Sequence, residues 1–230
     1  MRHGVPTAER GIIREPVGCE RRDSGSAGRT VAHAPLSPYH FITLPPIHGV
    51  IFDLDGVIVR TDELHYQSWQ ELTAAEGIPF SRAVNQRLLG LSRAESLEIV
   101  LARAPRAYTP EQKVAVALRK QARFLELATK LTPADVLPGV RELLSGLRNR
   151  GMRLAVGSSS RNTRVILGCL ALTEWFEVII DGNDLTRGKP DAEVYLRVAE
   201  RLGLLPEVCL VIEDSAAGVE SARCANMRVF

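Results

Sequence analysis

Apolar residues along the chain follow two rhythms. Val50-Ile51-Phe52, Leu154-Ala155-Val156, Val178-Ile179-Ile180 and Cys209-Leu210-Val211-Ile212 are short unbroken runs. Such runs are expected of strands buried on both faces of a parallel sheet. Stretches with helical periodicity separate or follow them, roughly over 139–150, 161–172, 190–203 and 215–225. The alternation predicts an α/β fold, a doubly wound parallel sheet. One interval breaks it. After the first run the pattern is helical over 62–76, 82–89, 94–102 and 110–130, with no convincing strand. A helical block inserted after the first strand predicts a cap over the strand ends, entered near 59–61 and left near 135–138. The expected domains are a core of 48–60 plus 137–230 and a helical cap of 61–136.

Residues 1–47 hold six of the thirteen prolines and no periodic apolar pattern, so they are expected to be a disordered extension. The remaining length, at an overall hydrophobic content of 45%, suffices for a core domain and a small insert. Net charge is +2, and residues 1–48 carry six Arg against four acidic residues, so the rest of the chain balances. That gives no electrostatic ground for nucleic acid or an anionic membrane as a partner. No apolar run approaches the ~20 residues of a membrane span, and the N-terminus lacks the apolar stretch of a signal peptide. Cys19, Cys169, Cys209 and Cys224 show no pairing pattern and no CxxC spacing. The last three are expected to be small buried side chains in a reducing, cytoplasmic setting. A monomer is expected.

Candidate chemistry gathers where the runs end. Asp53 and Asp55 follow the first run, and side chains at i and i+2 of an extended segment point the same way. Both carboxylates therefore face the crevice at the strand's carboxyl end, where open α/β sheets bind ligands. Gly56 permits the tight turn that follows. The second run ends in Gly157-Ser158-Ser159-Ser160-Arg161-Asn162, whose hydroxyls and N–H groups suit phosphate oxygens or a helix N-cap. The third leads to Gly188-Lys189-Pro190, and the fourth to Glu213-Asp214. Adjacent acids leaving a buried strand are costly without a cation. With hard oxygen donors and no His or Cys set beside them, Mg²⁺ fits better than Zn²⁺, with Asp53, Asp55, Glu213 and Asp214 as candidate ligands.

This four-part set resembles the haloacid dehalogenase superfamily over residues 49–230, and the helical insert matches that family's helical-cap class. The resemblance implies that Asp53 is a phosphorylated nucleophile and Asp55 the general acid and base. Ser158 and Lys189 would steady the transferring group, and the terminal acids would hold Mg²⁺. Within the superfamily the insert resembles the β-phosphoglucomutase family. His65 follows the nucleophile loop, and Leu88-Leu89-Gly90-Leu91-Ser92-Arg93 with Ser96 looks like that family's cap segment, whose Arg grips the second phosphate. Lys120 stands where another substrate-binding Lys is found, and Ser160-Arg161-Asn162 resembles the segment reading the sugar phosphate. The resemblance thus implies interconversion of β-D-glucose 1-phosphate and glucose 6-phosphate through a 1,6-bisphosphate. A sugar-phosphate phosphatase shares every core residue, and an inactive remnant is a third reading. Two positions depart from the family: Leu89 replaces a Lys, and Arg60 an acidic residue. The chain stops at Phe230, inside the expected next strand, so a fragment with an unpaired sheet edge is expected.

Overall fold

Val50, Ile51 and Phe52 are all buried and turn alternately to the two faces of a five-stranded sheet. Val50 and Phe52 join Leu154, Val156, Ile166 and Leu170 on one face. Ile51 joins Ala155, Tyr195, Val198 and Val211 on the other. Burying each such aliphatic side chain contributes about 1.5–3 kcal/mol, which is why an unbroken apolar run is stable only with helices over both faces. The structure, a computed structural model, describes residues 45–88 and 93–230. Its strands are β1 (Gly49–Phe52), β2 (Arg153–Gly157), β3 (Val178–Ile180), β4 (Cys209–Ile212) and β5 (Arg228–Val229). All pairs are parallel, in the order β3-β2-β1-β4-β5. The chain runs outward from β1 through β2 and β3, then returns to the other side of β1 with β4. That reversal makes a crevice at the carboxyl ends of β1 and β4. The last residues do form a strand, with Arg228 and Val229 opposite Leu210 and Val211.

Four helices lie between β1 and the remaining core elements: α1 (Asp62–Glu76), α2 (Arg82–Gln86), α3 (Arg93–Leu101) and α4 (Pro110–Ala128). They bury their own apolar cluster, including Trp69, Leu72, Val100 and Val116. Gly77, left-handed at φ 67°, ends α1, and a reciprocal Thr109–Gln112 capping box with Pro110 opens α4. Phe124 and Ala128 of α4 pack into the main core cluster, so one long helix serves both hydrophobic groups. Entry and exit of the insert touch: Val59 bridges Val136, and the Leu137 N–H donates to the Ile58 carbonyl at 2.9 Å.

The core helices are α5 (Val140–Asn149), α6 (Thr163–Cys169), α7 (Glu193–Leu202) and α8 (Ala216–Cys224). The helix expected over 161–172 is shorter. Its start is delayed because the Ser158 and Ser160 hydroxyls accept the N–H groups of Ser160 and Asn162 and hold a turn there. It stops early because Ala171 is left-handed at φ 52°. The helix expected over 82–89 ends at Gln86, with turn residues Arg87 and Leu88 after it. Among the cysteines, Cys209 is buried as expected, Cys169 is half-buried, and Cys224 is exposed, which corrects the expectation for that residue. Among the described residues no helix is long and apolar enough to cross a membrane.

Candidate active site

Parallel strands end on the same edge, so the loops after β1, β2, β3 and β4 meet there. Asp53 leaves β1 with its N–H still donated to the Ile212 carbonyl of β4 (3.0 Å), which fixes it beside Glu213. The Lys189 ammonium reaches in from the loop after β3, 2.6 Å from Asp53 Oδ1 and 3.1 Å from Glu213 Oε2. Its side chain is only 9% accessible. Glu193, at the start of α7, braces that loop by accepting from the Thr186 hydroxyl (2.7 Å) and the Arg187 N–H (2.7 Å). Tyr195, on the same helix, donates its hydroxyl to Glu213 Oε2 at 3.0 Å. Ser215 hydrogen-bonds the other Glu213 oxygen while capping α8. Glu213 is thus held from three directions.

Asp53, Glu213 and Asp214 each offer an oxygen within 4.8 Å of the others, a set able to hold a metal ion. Three carboxylates against one ammonium leave two negative charges, which a divalent cation balances. Hard oxygen donors of this kind suit Mg²⁺. The Asp55 carboxylate is not part of that set; it turns instead to accept from the Thr61 hydroxyl. Gly56 makes the difference. It is left-handed at φ 87°, and a Cβ there would lie 1.9 Å from Asp214 Oδ2, so the chain turns back immediately after Asp55.

Burial dominates the proton affinities. It pushes Asp53 up to about 7, against the pull of Lys189 and with the added repulsion of Glu213 and Asp55. Burial likewise raises Asp55, with Thr61 opposing. Asp214 is raised by burial and by Glu213. Burial works against the Lys189 charge, but Asp53, Tyr195 and Glu213 together hold it above its ordinary range. A carboxyl group raised toward neutrality is suited to carrying a proton in both directions.

A second group is built on the insert. His65 Nδ1 lies 2.8 Å from the Lys120 ammonium, which sits over the Trp69 and Phe124 rings at 5.2 and 4.9 Å. Burial, then Lys120 and Arg93, lower His65 to about 3, so it is neutral. Arg93 opens α3, and its guanidinium is close enough to Arg161 to lose proton affinity, after a larger effect of desolvation. Among the described residues no carboxylate pairs with Arg93, Lys120 or Arg161. Asn162 is buried next to Arg161 and accepts from Gln121 of α4 at 2.7 Å. Ser158 and Ser160 sit in the turn after β2. Ser96 is buried on α3. Gly90 lies outside the described residues.

Four residues at these groups escaped the sequence reading: Thr61, Gln121, Glu193 and Tyr195. Tyr195 carried a usable signal, since its hydroxyl falls on the apolar face of α7 with Val194, Val198 and Leu202, where it needs a buried partner.

A family model for haloacid dehalogenase-like hydrolases matches residues 47–226. A β-phosphoglucomutase of Bacillus subtilis is 42% identical over 181 residues, 78% of this chain and 80% of that one. A phosphorylated carbohydrates phosphatase of Thermotoga maritima is 33% identical over 184 residues, 79% of this chain and 82% of its own. Among solved structures, a β-phosphoglucomutase from Clostridium difficile is similar at a TM-score of 0.73 and 34% identity, covering 80% of this chain and 83% of that one.

Proposed function

The chain belongs to the haloacid dehalogenase-like hydrolases, and on that premise we propose that it interconverts β-D-glucose 1-phosphate and glucose 6-phosphate through a phospho-Asp53 enzyme and a 1,6-bisphosphate. The observation that carries this reading is the pairing of two separate stations. One is a nucleophile with charge-neutralising groups, Asp53 with Lys189, Glu213 and Asp214. The other is a cationic group, Arg93, Lys120 and Arg161, drawn from the insert and the β2 turn, with no carboxylate paired to it among the described residues. A hydrolase acting on one phosphate needs the first station. An enzyme whose intermediate carries two phosphates needs both.

The free hydroxyl of the sugar monophosphate attacks the phosphorus of phospho-Asp53, giving its proton to Asp55 as the Asp53 oxygen–phosphorus bond breaks, and the 1,6-bisphosphate forms. The Asp53 carboxylate then attacks the bisphosphate's other phosphorus, forming a new Asp53 oxygen–phosphorus bond as that phosphorus parts from its sugar oxygen. Asp55 returns its proton to that oxygen, and the isomeric monophosphate leaves the phospho-Asp53 enzyme. Two like charges ~4 Å apart repel by roughly 4 kcal/mol at an effective dielectric near 20, so the attack needs cations beside it. Lys189 supplies one. A Mg²⁺ held by Asp53, Glu213 and Asp214 would neutralise the charge on the phosphoryl oxygens. Ser158 would donate its hydroxyl to the transferring group. His65, neutral and bonded to Lys120, orients that ammonium toward the distal phosphate, with Arg93, Ser160, Arg161 and Asn162 around it.

The second reading, hydrolysis of a small sugar phosphate, is supported by the similarity to the Thermotoga maritima phosphatase. Phosphorus NMR of the protein with Mg²⁺, β-glucose 1-phosphate and a trace of the bisphosphate separates the two. Glucose 6-phosphate is expected. Inorganic phosphate as the main product would establish hydrolysis instead, and no product would remove both. Asp53→Asn should abolish phosphoenzyme formation, whereas Asp55→Asn should slow turnover by on the order of 10²–10⁴.

A further inference from the structure

Asn162 and Gln121 lie 41 residues apart, one in the turn ahead of α6 and one on the insert helix α4, and their amides meet at 2.7 Å. The polarity of that contact matters. Gln121 donates through Nε2 and Asn162 accepts through Oδ1, so Nδ2, the other arm of the Asn162 amide, points away from Gln121, with no protein acceptor among the described residues. The rest of Asn162 is fixed. Its N–H donates to the Ser160 hydroxyl at 3.3 Å, its carbonyl accepts from Ile166, and only 7% of its surface is exposed. Amide orientation is therefore the one freedom this side chain retains.

Phosphate oxygens accept hydrogen bonds, and a phosphate monoester dianion donates none. An asparagine serves an anion only with Nδ2 toward it, and a flipped amide would present Oδ1 and repel it. The flip exchanges a useful group for a harmful one without any change of shape. Something must decide it, and Gln121 is the neighbour in contact with the amide. The helix that carries Gln121 is held in place: the adjacent Lys120 is bonded to His65, and Phe124, one turn on, is buried in the core cluster.

We propose that Gln121 is a positioning residue that selects the Asn162 amide orientation presenting Nδ2 to the substrate's non-reacting phosphate. The inference rests on the reading of Asn162 as an anion-binding residue. It also makes anion recognition conditional on α4 lying against the β2 turn, because the contact exists only when insert and core meet there. An open insert leaves the Asn162 amide free to turn, and a closed one commits it.

The test is a double-mutant cycle on KM for β-glucose 1-phosphate, using Gln121→Met and Asn162→Ala. Gln121→Met keeps side-chain length and helix propensity and removes the hydrogen bond without adding charge. It is expected to raise KM about 3- to 10-fold, the scale of one neutral hydrogen bond. In the Asn162→Ala background it should add nothing. Gln121→Glu is expected to exceed Gln121→Met, because a carboxylate can only accept and would draw Nδ2 to itself. A wild-type KM in Gln121→Met, with a raised KM in Asn162→Ala, would overturn the positioning role and leave the anion-binding reading intact. Equal increases in both backgrounds would overturn it too, marking Gln121 as a packing residue. If Asn162→Ala itself has a wild-type KM, Asn162 leaves the anion site and the inference falls with it.

Discussion

Lys120 is a cation in an apolar setting, over the Trp69 and Phe124 rings and bonded to a neutral imidazole. Burial, then the charge of Arg93, pulls its proton affinity down to about 7. The unfolded chain restores the ordinary lysine value of 10.5, so between those limits the unfolded state holds the proton more tightly. The cost of charging Lys120 in the fold is therefore fully present below about pH 7 and fades as pH rises toward 10.5. Lys120→Met should be more stable than the parent by on the order of 1–4 kcal/mol at pH 6.5, and the gap should close by pH 10. Urea midpoints at the two pH values measure it; a gap independent of pH would mean Lys120 is charged as freely in the fold as outside it. At this scale the sequence was legible where spacing alone dictates direction. Asp53 and Asp55 do leave β1 into one crevice, yet they part in company, Asp53 to Lys189 and Asp55 to Thr61. The parting depends on the turn at Gly56, whose conformation the i, i+2 rule does not include.

Among elements, α8 shows how a helix start and the carboxylate set able to hold a metal share atoms. Ser215 accepts the Gly218 N–H as the helix cap and hydrogen-bonds Glu213 Oε1 at the same time. A Cβ on Gly218 would fall 1.8 Å from that same Glu213 oxygen. Inside a helix, Ala in place of Gly ordinarily stabilises by about 0.5–1 kcal/mol. Here the clash is far larger than the gain, and Glu213 must leave Tyr195 and Lys189 to escape it. Gly218→Ala should lower thermal stability and raise the Mg²⁺ concentration for half-maximal activity by on the order of 10–100-fold, the usual effect of losing a partner that orients a ligand. A wild-type Mg²⁺ dependence would show that α8 can retreat instead. The order and type of the elements were readable because strands buried on both faces and amphipathic helices leave different rhythms. Boundaries followed side chains that compete with the helix for backbone groups. The serines ahead of α6 postponed its start, whereas the Thr109 cap fixed the start of α4 where the sequence put it.

For the whole molecule, the decisive relation is between the insert and the strand ends, and it was the least legible. A periodic pattern over 110–130 says that α4 has an apolar face, but not which of its turns meets the core. Packing of Phe124 and Ala128 into the main cluster settles that, and only then do Lys120 and Gln121 face His65 and Asn162. The same relation governs water. Arg93 on α3 and Arg161 on the core form two halves of a cationic pair with no carboxylate paired to either among the described residues, so they repel until an anion joins them. A substrate whose distal phosphate bridges the two would draw the insert down and shut water away from phospho-Asp53. Arg93→Ala should then do two things at once. Loss of two charge-assisted hydrogen bonds, each ~1.5–3 kcal/mol, should slow glucose 6-phosphate formation by roughly 10²–10⁴. The fraction of phosphoenzyme lost to water should rise, because the insert no longer closes on a bound anion. Both are measured together by following glucose 6-phosphate and inorganic phosphate in one phosphorus NMR time course. Unchanged isomerisation would remove Arg93 from the site. Slower isomerisation with an unchanged ratio of the two products would leave Arg93 as a binding group and assign the exclusion of water to other residues of the insert.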